Sequence, residues 1–167
     1  MKHLFSILAL PFNVTITLPL LLLFFESRSN TSVKWVEFPW FWIGIIALID
    51  GLFLLIWTIS LFATKGEGTL APWAPTKKLV VTGPFRHVRN PMITGVLLVL
   101  IGEAMVFQSF WLLGWAIFFF VLNTVYFILK EEPDLVKRFG EPYQDYCRQV
   151  NRWIPRISPW DPDETSN

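Results

Sequence analysis

Four long apolar runs constrain this chain more than any other feature of its sequence. They cover residues 4–25, 38–63, 92–108 and 110–129, and the first and the last contain no charged residue. An α-helix needs about 20 apolar residues to cross a bilayer. With 53% hydrophobic and only 16% charged residues, the 167-residue chain is too apolar for a soluble domain. The runs therefore predict an all-α integral membrane protein with about four transmembrane helices.

The first run has a competing interpretation. Lys2 precedes it, as a basic residue precedes the apolar part of a signal peptide. The run is long for a signal peptide, however, and no small-residue cleavage site follows it, so a membrane anchor is favoured. Pro11 and Pro19 lie inside the run and predict kinks.

Two acidic residues, Asp50 and Glu103, lie inside the second and third runs. A carboxylate is costly in lipid, so Asp50 is expected to face the protein interior or a polar cavity. It would either make a polar contact within a site or only fix the packing of helices, and both interpretations stay open.

The distribution of basic residues predicts the topology. Residues 64–82 carry three lysines against one glutamate, and Arg86 and Arg89 follow directly. The positive-inside rule places this connection in the cytoplasm. A tight turn at Gln108 and Ser109 would make the third and fourth spans an antiparallel hairpin, which puts the residues after Lys130 on the same side. Four spans then place both termini in the cytoplasm.

The charged part after Lys130 predicts one or two amphipathic helices on the cytoplasmic face, with a bend at Gly140. The apolar stripe of these helices consists of Leu135, Phe139, Tyr143, Tyr146, Val150 and Trp153. We therefore divide the chain into two N-terminal spans with a polar loop (1–63), a core with the hairpin and the C-terminal helices (64–157), and a tail expected to be disordered (158–167).

Two polar clusters lie at the predicted cytoplasmic surface: residues 83–91 and the pair Glu131 and Glu132. Backbone N–H groups near a helix start, together with arginines, bind a carboxylate or phosphate. The glutamates accept hydrogen bonds from ammonium or hydroxyl groups. S-adenosylmethionine carries both kinds of group, and its sulfonium favours aromatic faces.

Each cluster also has a purely structural interpretation. Basic residues beside a span commonly set topology or contact headgroups, and a glutamate pair at a helix start complements the helix dipole. The net charge of +1 does not indicate nucleic-acid binding. One cysteine and two distant histidines, His3 and His87, predict neither a disulfide nor a metal site. These patterns alone therefore predict a small membrane protein without indicating its function. The sequence does not define its oligomeric state.

The order of the motifs resembles that of a known family. The chain contains Leu79-Val80-Val81-Thr82-Gly83-Pro84-Phe85-Arg86-His87-Val88-Arg89-Asn90-Pro91, a hairpin, Glu131-Glu132-Pro133-Asp134-Leu135, Phe139-Gly140-Glu141-Pro142-Tyr143-Gln144-Asp145-Tyr146 and finally Trp153-Ile154-Pro155. This order resembles the isoprenylcysteine carboxyl methyltransferase family, with its bacterial relatives and the related phospholipid N-methyltransferases. The resemblance covers about residues 64–157.

The resemblance implies a methyltransferase of a bacterial inner membrane, with S-adenosylmethionine bound between the third and fourth spans and the C-terminal helices. The implied cofactor contacts are Thr82, Gly83, Pro84, Phe85, Asn90, Pro91, Met92, Ile93, Glu131 and Glu132. The chain departs from the family at two of them. Asn90 replaces a histidine and cannot titrate near neutral pH, and Ile93 replaces a tyrosine.

The implied acceptor is a lipophilic or membrane-embedded small molecule, such as a lipid amine, that enters from the bilayer. A prenylcysteine carboxylate is the alternative, but where the prenylcysteine enzymes have an arginine this chain has residues 126–129, which are Tyr-Phe-Ile-Leu. The expected catalytic residues are Arg89, to orient an anionic group, and Glu132. For a neutral amine, Glu132, Glu103 or Asp50 could take the proton. A non-enzymatic membrane carrier or assembly subunit with the same fold is the competing function.

Overall fold

The structure, a computed structural model, describes residues 11–28, 39–65 and 79–161, and these residues contain helices and no strand. In chain order the helices are α1 (Leu18–Arg28), α2 (Trp40–Lys65), α3 (Pro91–Phe107), α4 (Phe110–Tyr126), α5 (Glu132–Phe139) and α6 (Glu141–Gln149). A π-helical turn precedes α1 (Asn13–Thr17) and another joins α4 to α5 (Phe127–Glu131). A 3₁₀ turn (Gly83–Arg86) precedes α3.

Two of the described helices are long and apolar enough to cross a membrane. They are Trp40–Leu61 within α2 and Phe110–Phe139, which runs from α4 through the π-helical turn to the end of α5. Both windows have a mean hydropathy of 2.2, yet only 22% and 17% of them are buried. The core helix of a soluble protein would be mostly buried. The exposed apolar surface is what a lipid-facing helix presents.

The other two expected spans are represented less fully. Helix α3 (Pro91–Phe107) is apolar but has only 17 residues. Of the first apolar run, residues 4–10 lie outside the described part of the chain, and the rest forms the π-helical turn and most of α1. The turn between α3 and α4 is as tight as expected: Gln108 adopts a left-handed conformation, and the Ser109 side chain accepts a hydrogen bond from the Leu112 amide.

Glycines bring α2 and α3 into close contact. A Cβ atom on Gly51 would lie 2.7 Å from the Val99 nitrogen and 2.8 Å from the Gly95 oxygen, and one on Gly102 would lie 2.7 Å from the Gly44 oxygen. Both helices carry these glycines seven residues apart, so the backbones touch along two turns. Close approach through small residues is a common basis of helix association in membranes. The main core, with Leu55 and Val96 at its centre, lies beside this contact.

Both π-helical turns end two residues before a proline, Pro19 and Pro133. A proline has no N–H to donate, and its ring clashes with the carbonyl four residues earlier. The helix accommodates it by widening the preceding turn rather than by ending. The expected kink at Pro19 is therefore a local widening. Pro133 does not begin a separate helix: the chain continues from α4 into α5, which places Glu131 and Glu132 on the extension of α4.

The C-terminal helices form a second core. Gly140, at φ +63°, separates α5 from α6, as the predicted bend requires. Tyr143, Tyr146, Val150 and Trp160 are buried together in this cluster. Trp160 also lies in the segment expected to be disordered. That expectation is wrong for residues 158–161, because the Trp160 amide donates to the Arg86 carbonyl and its ring is buried. Residues 162–167 lie outside the described residues.

The close contact of α2 and α3 gives a stability prediction. Gly51→Ala should lower the free energy of unfolding in detergent by about 1–3 kcal/mol, because the new methyl group overlaps the α3 backbone. Gly114→Ala in α4 is the matched control, since a Cβ there meets no atom within 4 Å. Denaturant titrations followed by circular dichroism measure both variants. Equal stability of the two would contradict the packing described.

Candidate functional site

Glu132 is the centre of a charged cluster at the end of the long helix. Its Oε1 accepts from Arg152 Nε at 2.7 Å and lies 3.0 Å from Arg89 Nη1, and its Oε2 accepts from Arg152 Nη2 at 2.8 Å. The three side chains are mostly buried, between 12% and 24% exposed. The hydrogen bond to Glu132 raises the pKa of the Arg152 guanidinium. Two cations share one carboxylate, so the cluster as a whole is positively charged.

Residues 146–161 hold the 83–91 segment in place. The Arg89 amide donates to the Asn151 carbonyl, and the Arg156 amide donates to the His87 carbonyl, both at 2.9 Å. Arg86 donates through Nε to the Trp160 carbonyl and pairs with Asp161, both at 2.6 Å. A segment with two prolines makes few helical hydrogen bonds of its own. The backbone groups of residues 146–161 therefore provide hydrogen-bond partners for its N–H and C=O groups.

Tyr146 ties the second core to the same segment. Its hydroxyl donates to the Phe85 carbonyl at 2.6 Å. Burial raises the pKa of Tyr146, and it also raises the pKa of the neighbouring Tyr143. Both phenols therefore stay protonated over the physiological range, and the Tyr146 hydroxyl remains a donor. The Arg89 guanidinium also donates to Cys147 Sγ at 2.7 Å, which links α6 to the cluster.

Three buried donor groups of the 82–90 stretch have no hydrogen-bond partner within the described residues. They are Thr82 Oγ1, Arg89 Nε and Asn90 Nδ2. Asn90 also immediately precedes α3 and does not cap it with its side chain, so the first N–H groups of that helix need other partners. Unpaired buried donors are rare in native structures because each costs free energy. An anionic group bound here would satisfy them.

The predicted cofactor residues do not all face one place. Gly83 and Pro84 line a cleft of about 490 Å³ beside Trp57 of α2, whereas Phe85 is buried and Met92 and Ile93 pack against the main core. Glu131 lies beside Tyr126. Of the predicted site residues, the structure therefore places Arg89 and Glu132 in the charged cluster, with Asn90 next to Arg89 in the chain.

The two acids of the apolar helices α2 and α3 do not join this cluster. Asp50 is exposed on α2, so of its two expected surroundings, the protein interior or a polar cavity, the structure does not provide the first. Glu103 lies about 18 Å along α3 from Pro91 at about 1.5 Å per residue. Its Oε2 is buried without a partner among the described residues. Neither acid is placed to take a proton at the cluster.

Arg152 is the main site residue that the sequence did not reveal. Arg152 lies in no motif. In the sequence it is 20 residues from Glu132, with most of α5 and all of α6 between them. The only signal was its position within the C-terminal stripe, between the buried Val150 and Trp153, whose ring packs on Phe120 at 5.1 Å. Trp57 was missed as well, because nothing in the sequence shows which face of α2 meets the 83–91 segment.

The described residues thus form helices, two of which are long and apolar enough to cross a membrane, and a charged cluster lies near the end of one of them. The sequence profile of the phospholipid methyltransferase family matches residues 39–142, which include α2 to α5 and the whole 83–91 segment. The chain belongs to this family. Arg152 and the rest of the segment that holds residues 83–91 lie just beyond the matched range.

Two curated relatives are methanethiol S-methyltransferases. Methanethiol S-methyltransferase 2 of Bradyrhizobium diazoefficiens is 28% identical over 162 residues, covering 84% of this chain and 57% of that protein. Methanethiol S-methyltransferase of Pseudomonas sp. (strain GM41(2012)) is 30% identical over 159 residues, covering 83% of this chain and 56% of that protein. The chain thus spans little more than half the length of the curated relatives it matches. No solved structure matches it significantly.

The charged cluster predicts an asymmetric effect of two arginine substitutions. Arg152→Ala should lower the free energy of unfolding by about 1.5–3 kcal/mol, because Glu132 Oε2 loses its charged donor. Arg148→Ala is the control: Arg148 pairs with Asp145 at the surface and is 70% exposed, so it should cost less than about 1 kcal/mol. Chemical denaturation in detergent gives both values. A loss for Arg152→Ala no larger than the control would show that the bidentate pair does not stabilise the fold.

Proposed function

We propose that this chain is an S-adenosylmethionine-dependent membrane methyltransferase that acts on a small lipophilic acceptor. The observation that carries the proposal is the set of unpaired buried donors at Thr82, Arg89 and Asn90 beside the Glu131–Glu132 pair. Membership of the family supports methyl transfer as the reaction. The site offers hydrogen-bond donors for the carboxylate of the cofactor and glutamates for its ammonium group.

The donor set fits S-adenosylmethionine. Thr82 Oγ1, Arg89 Nε and Asn90 Nδ2 would hold the carboxylate of the cofactor, and the start of α3 favours negative charge at the same point. Glu131, half-buried, would accept from its ammonium or ribose hydroxyls. When bound, the cofactor supplies a methyl group on a sulfonium that becomes neutral as the methyl leaves. A site that excludes water and aligns the two reactants favours that change.

Glu132 has a different role from the one that its position in the motif suggested. Both of its oxygens already accept hydrogen bonds from guanidinium groups, so it is a poor proton acceptor. It orients Arg89 and Arg152 instead. Arg89 remains the residue that orients an anionic group, since its Nε is still unpaired.

The contacts of Glu132 bear on the acceptor. A neutral lipid amine needs a base, and both Glu132 oxygens already contact guanidinium groups. A thiol that reacts as its thiolate does not need a base at this cluster. The two relatives named above are thiol methyltransferases, which supports a small apolar thiol ahead of a lipid amine. A prenylcysteine carboxylate is the second choice, since Arg152 offers it a cation that the sequence motif lacks.

The proposed placement in the membrane follows from the same elements. We infer four spans, with both termini, the charged cluster and the 83–91 segment in the cytoplasm, and with α5 and α6 as amphipathic helices at the cytoplasmic face. The basic residues between α2 and α3 support this orientation. An inner bacterial membrane is the proposed location, because both curated relatives are bacterial proteins.

Direct titration tests cofactor binding. Calorimetry of the purified protein should show binding of S-adenosylmethionine, and Asn90→Ala should weaken it about tenfold, the loss of one hydrogen bond to a charged group. Glu131→Ala combined with Glu132→Ala should abolish binding, whereas Arg148→Ala should not change it. No binding by the wild type, or undiminished binding by the double variant, would refute the assignment and favour a carrier or assembly subunit.

Methyl transfer tests the acceptor class. Vesicles containing the wild-type protein and labelled S-adenosylmethionine should methylate a short alkanethiol at a higher kcat/KM than the matching alkylamine or a farnesylated cysteine. Arg89→Gln should lower kcat/KM for the thiol by at least about tenfold, because the carboxylate of the cofactor loses a charged hydrogen-bond donor. A preference for the amine would contradict the assignment of a thiol acceptor.

A further inference from the structure

A second feature of the structure, the cleft beside Trp57, is not explained by cofactor binding. It has a volume of about 490 Å³ and lies between α2 and the 3₁₀ turn. Its lining residues are Leu54, Trp57, Gly83, Pro84, Arg86, His87, Val88, Thr94, Pro155 and Pro159. Trp57 is 43% exposed and packs on Phe53, which is itself 66% exposed. Most residues of the cleft are apolar, and the cleft adjoins the exposed apolar surface of α2.

The cleft and the charged cluster share a wall. Along the chain, Thr82, Arg89 and Asn90 carry the unpaired donors, while Gly83, Pro84 and Val88, which lie between them, line the cleft. Gly83 adopts φ +59°, and a Cβ there would lie 3.3 Å from the Trp57 ring. The absence of a side chain at Gly83 therefore lets the turn approach Trp57 closely. The lining of the cleft and the proposed cofactor donors belong to the same stretch, residues 82–90.

His87 is the titratable group of this cleft. Its Nδ1 lies 2.8 Å from the Arg156 carbonyl oxygen. A carbonyl can only accept, so Nδ1 carries the proton, and in the neutral ring Nε2 has the free lone pair. Among the described residues, His87 Nε2 has no hydrogen-bond partner. The arrangement in which a backbone carbonyl fixes one nitrogen leaves the other available as a base.

We propose that the cleft binds the methyl acceptor, a small apolar thiol, and that His87 Nε2 takes its proton. This inference rests on the proposed function. The acceptor sulfur forms the new bond to the methyl carbon, and the bond from that carbon to the sulfonium sulfur breaks with its electron pair staying on the sulfonium sulfur. The S–H proton passes to Nε2 and leaves to water at the rim. At the cluster, both oxygens of Glu132 already contact guanidinium groups, and Glu132 does not line the cleft.

Two thiols of different acidity test the role of His87. An alkanethiol such as hexanethiol is mostly protonated at neutral pH and needs a base, whereas thiophenol is largely ionised and does not. His87→Asn keeps an N–H for the Arg156 carbonyl and removes Nε2. It should lower kcat/KM for hexanethiol about 100-fold more than for thiophenol, the usual size of general-base catalysis. The ratio of the two losses does not depend on how much of the variant folds.

Filling the cleft tests where the thiol binds. Leu54→Trp should raise KM for hexanethiol at least about tenfold without changing the affinity for S-adenosylmethionine by calorimetry. The control is Ile117→Trp, which fills the other apolar groove, between α3 and α4, and should leave KM unchanged. Equal losses for the two thiols in His87→Asn, or equal KM for the two tryptophan variants, would overturn the inference while the proposed function stands. A wild type that methylates neither thiol would overturn both.

Discussion

The rest of the site depends on one carboxylate that two arginines share. Glu132 extends the long α4–α5 helix, Arg89 follows the 3₁₀ turn, and Arg152 comes after α6, so one residue joins three separate parts of the chain. A mostly buried carboxylate is stable only when it is paired and fully hydrogen-bonded. Removing either arginine would leave it short of partners. The network therefore holds the 83–91 segment against the end of the long helix, although the segment contains only a short 3₁₀ turn.

The packing of α2 on α3 determines what that segment can face. Because glycines let the two backbones touch, Trp57 and Leu54 come next to the 3₁₀ turn and form one side of the cleft. A wider helix pair would separate α2 from the turn. The same approach leaves much of the apolar surface of α2 exposed. The fold thus brings a residue of the charged cluster, Arg89, and lining residues of an apolar cleft together on one short backbone segment.

Much of this fold follows from local patterns, and much of the site does not. Apolar runs, the Gln108–Ser109 turn and the bend at Gly140 are encoded by neighbouring residues, so their positions are predictable from sequence to within a few residues. The pairing of Arg152 with Glu132 depends on how α6 folds back, and no local pattern reports that. Pro133 illustrates the limit: its sequence context favours a helix start, but the neighbouring turns let the helix widen and continue. Asp50 shows the converse, since the cost of a charge in lipid predicts an inward orientation that the helix packing does not provide.

The contacts of Glu132 separate two roles that a sequence motif merges. A glutamate beside a cofactor can be a base or can organise the groups that bind the cofactor, and the hydrogen bonds distinguish them. With guanidinium groups on both oxygens, Glu132 could take a proton only by giving up one of these contacts and leaving a mostly buried cation short of a partner. This geometry fits the organising role. In the proposed reaction the proton therefore passes to another group, and the nitrogen that the Arg156 carbonyl leaves free on His87 is the one we propose.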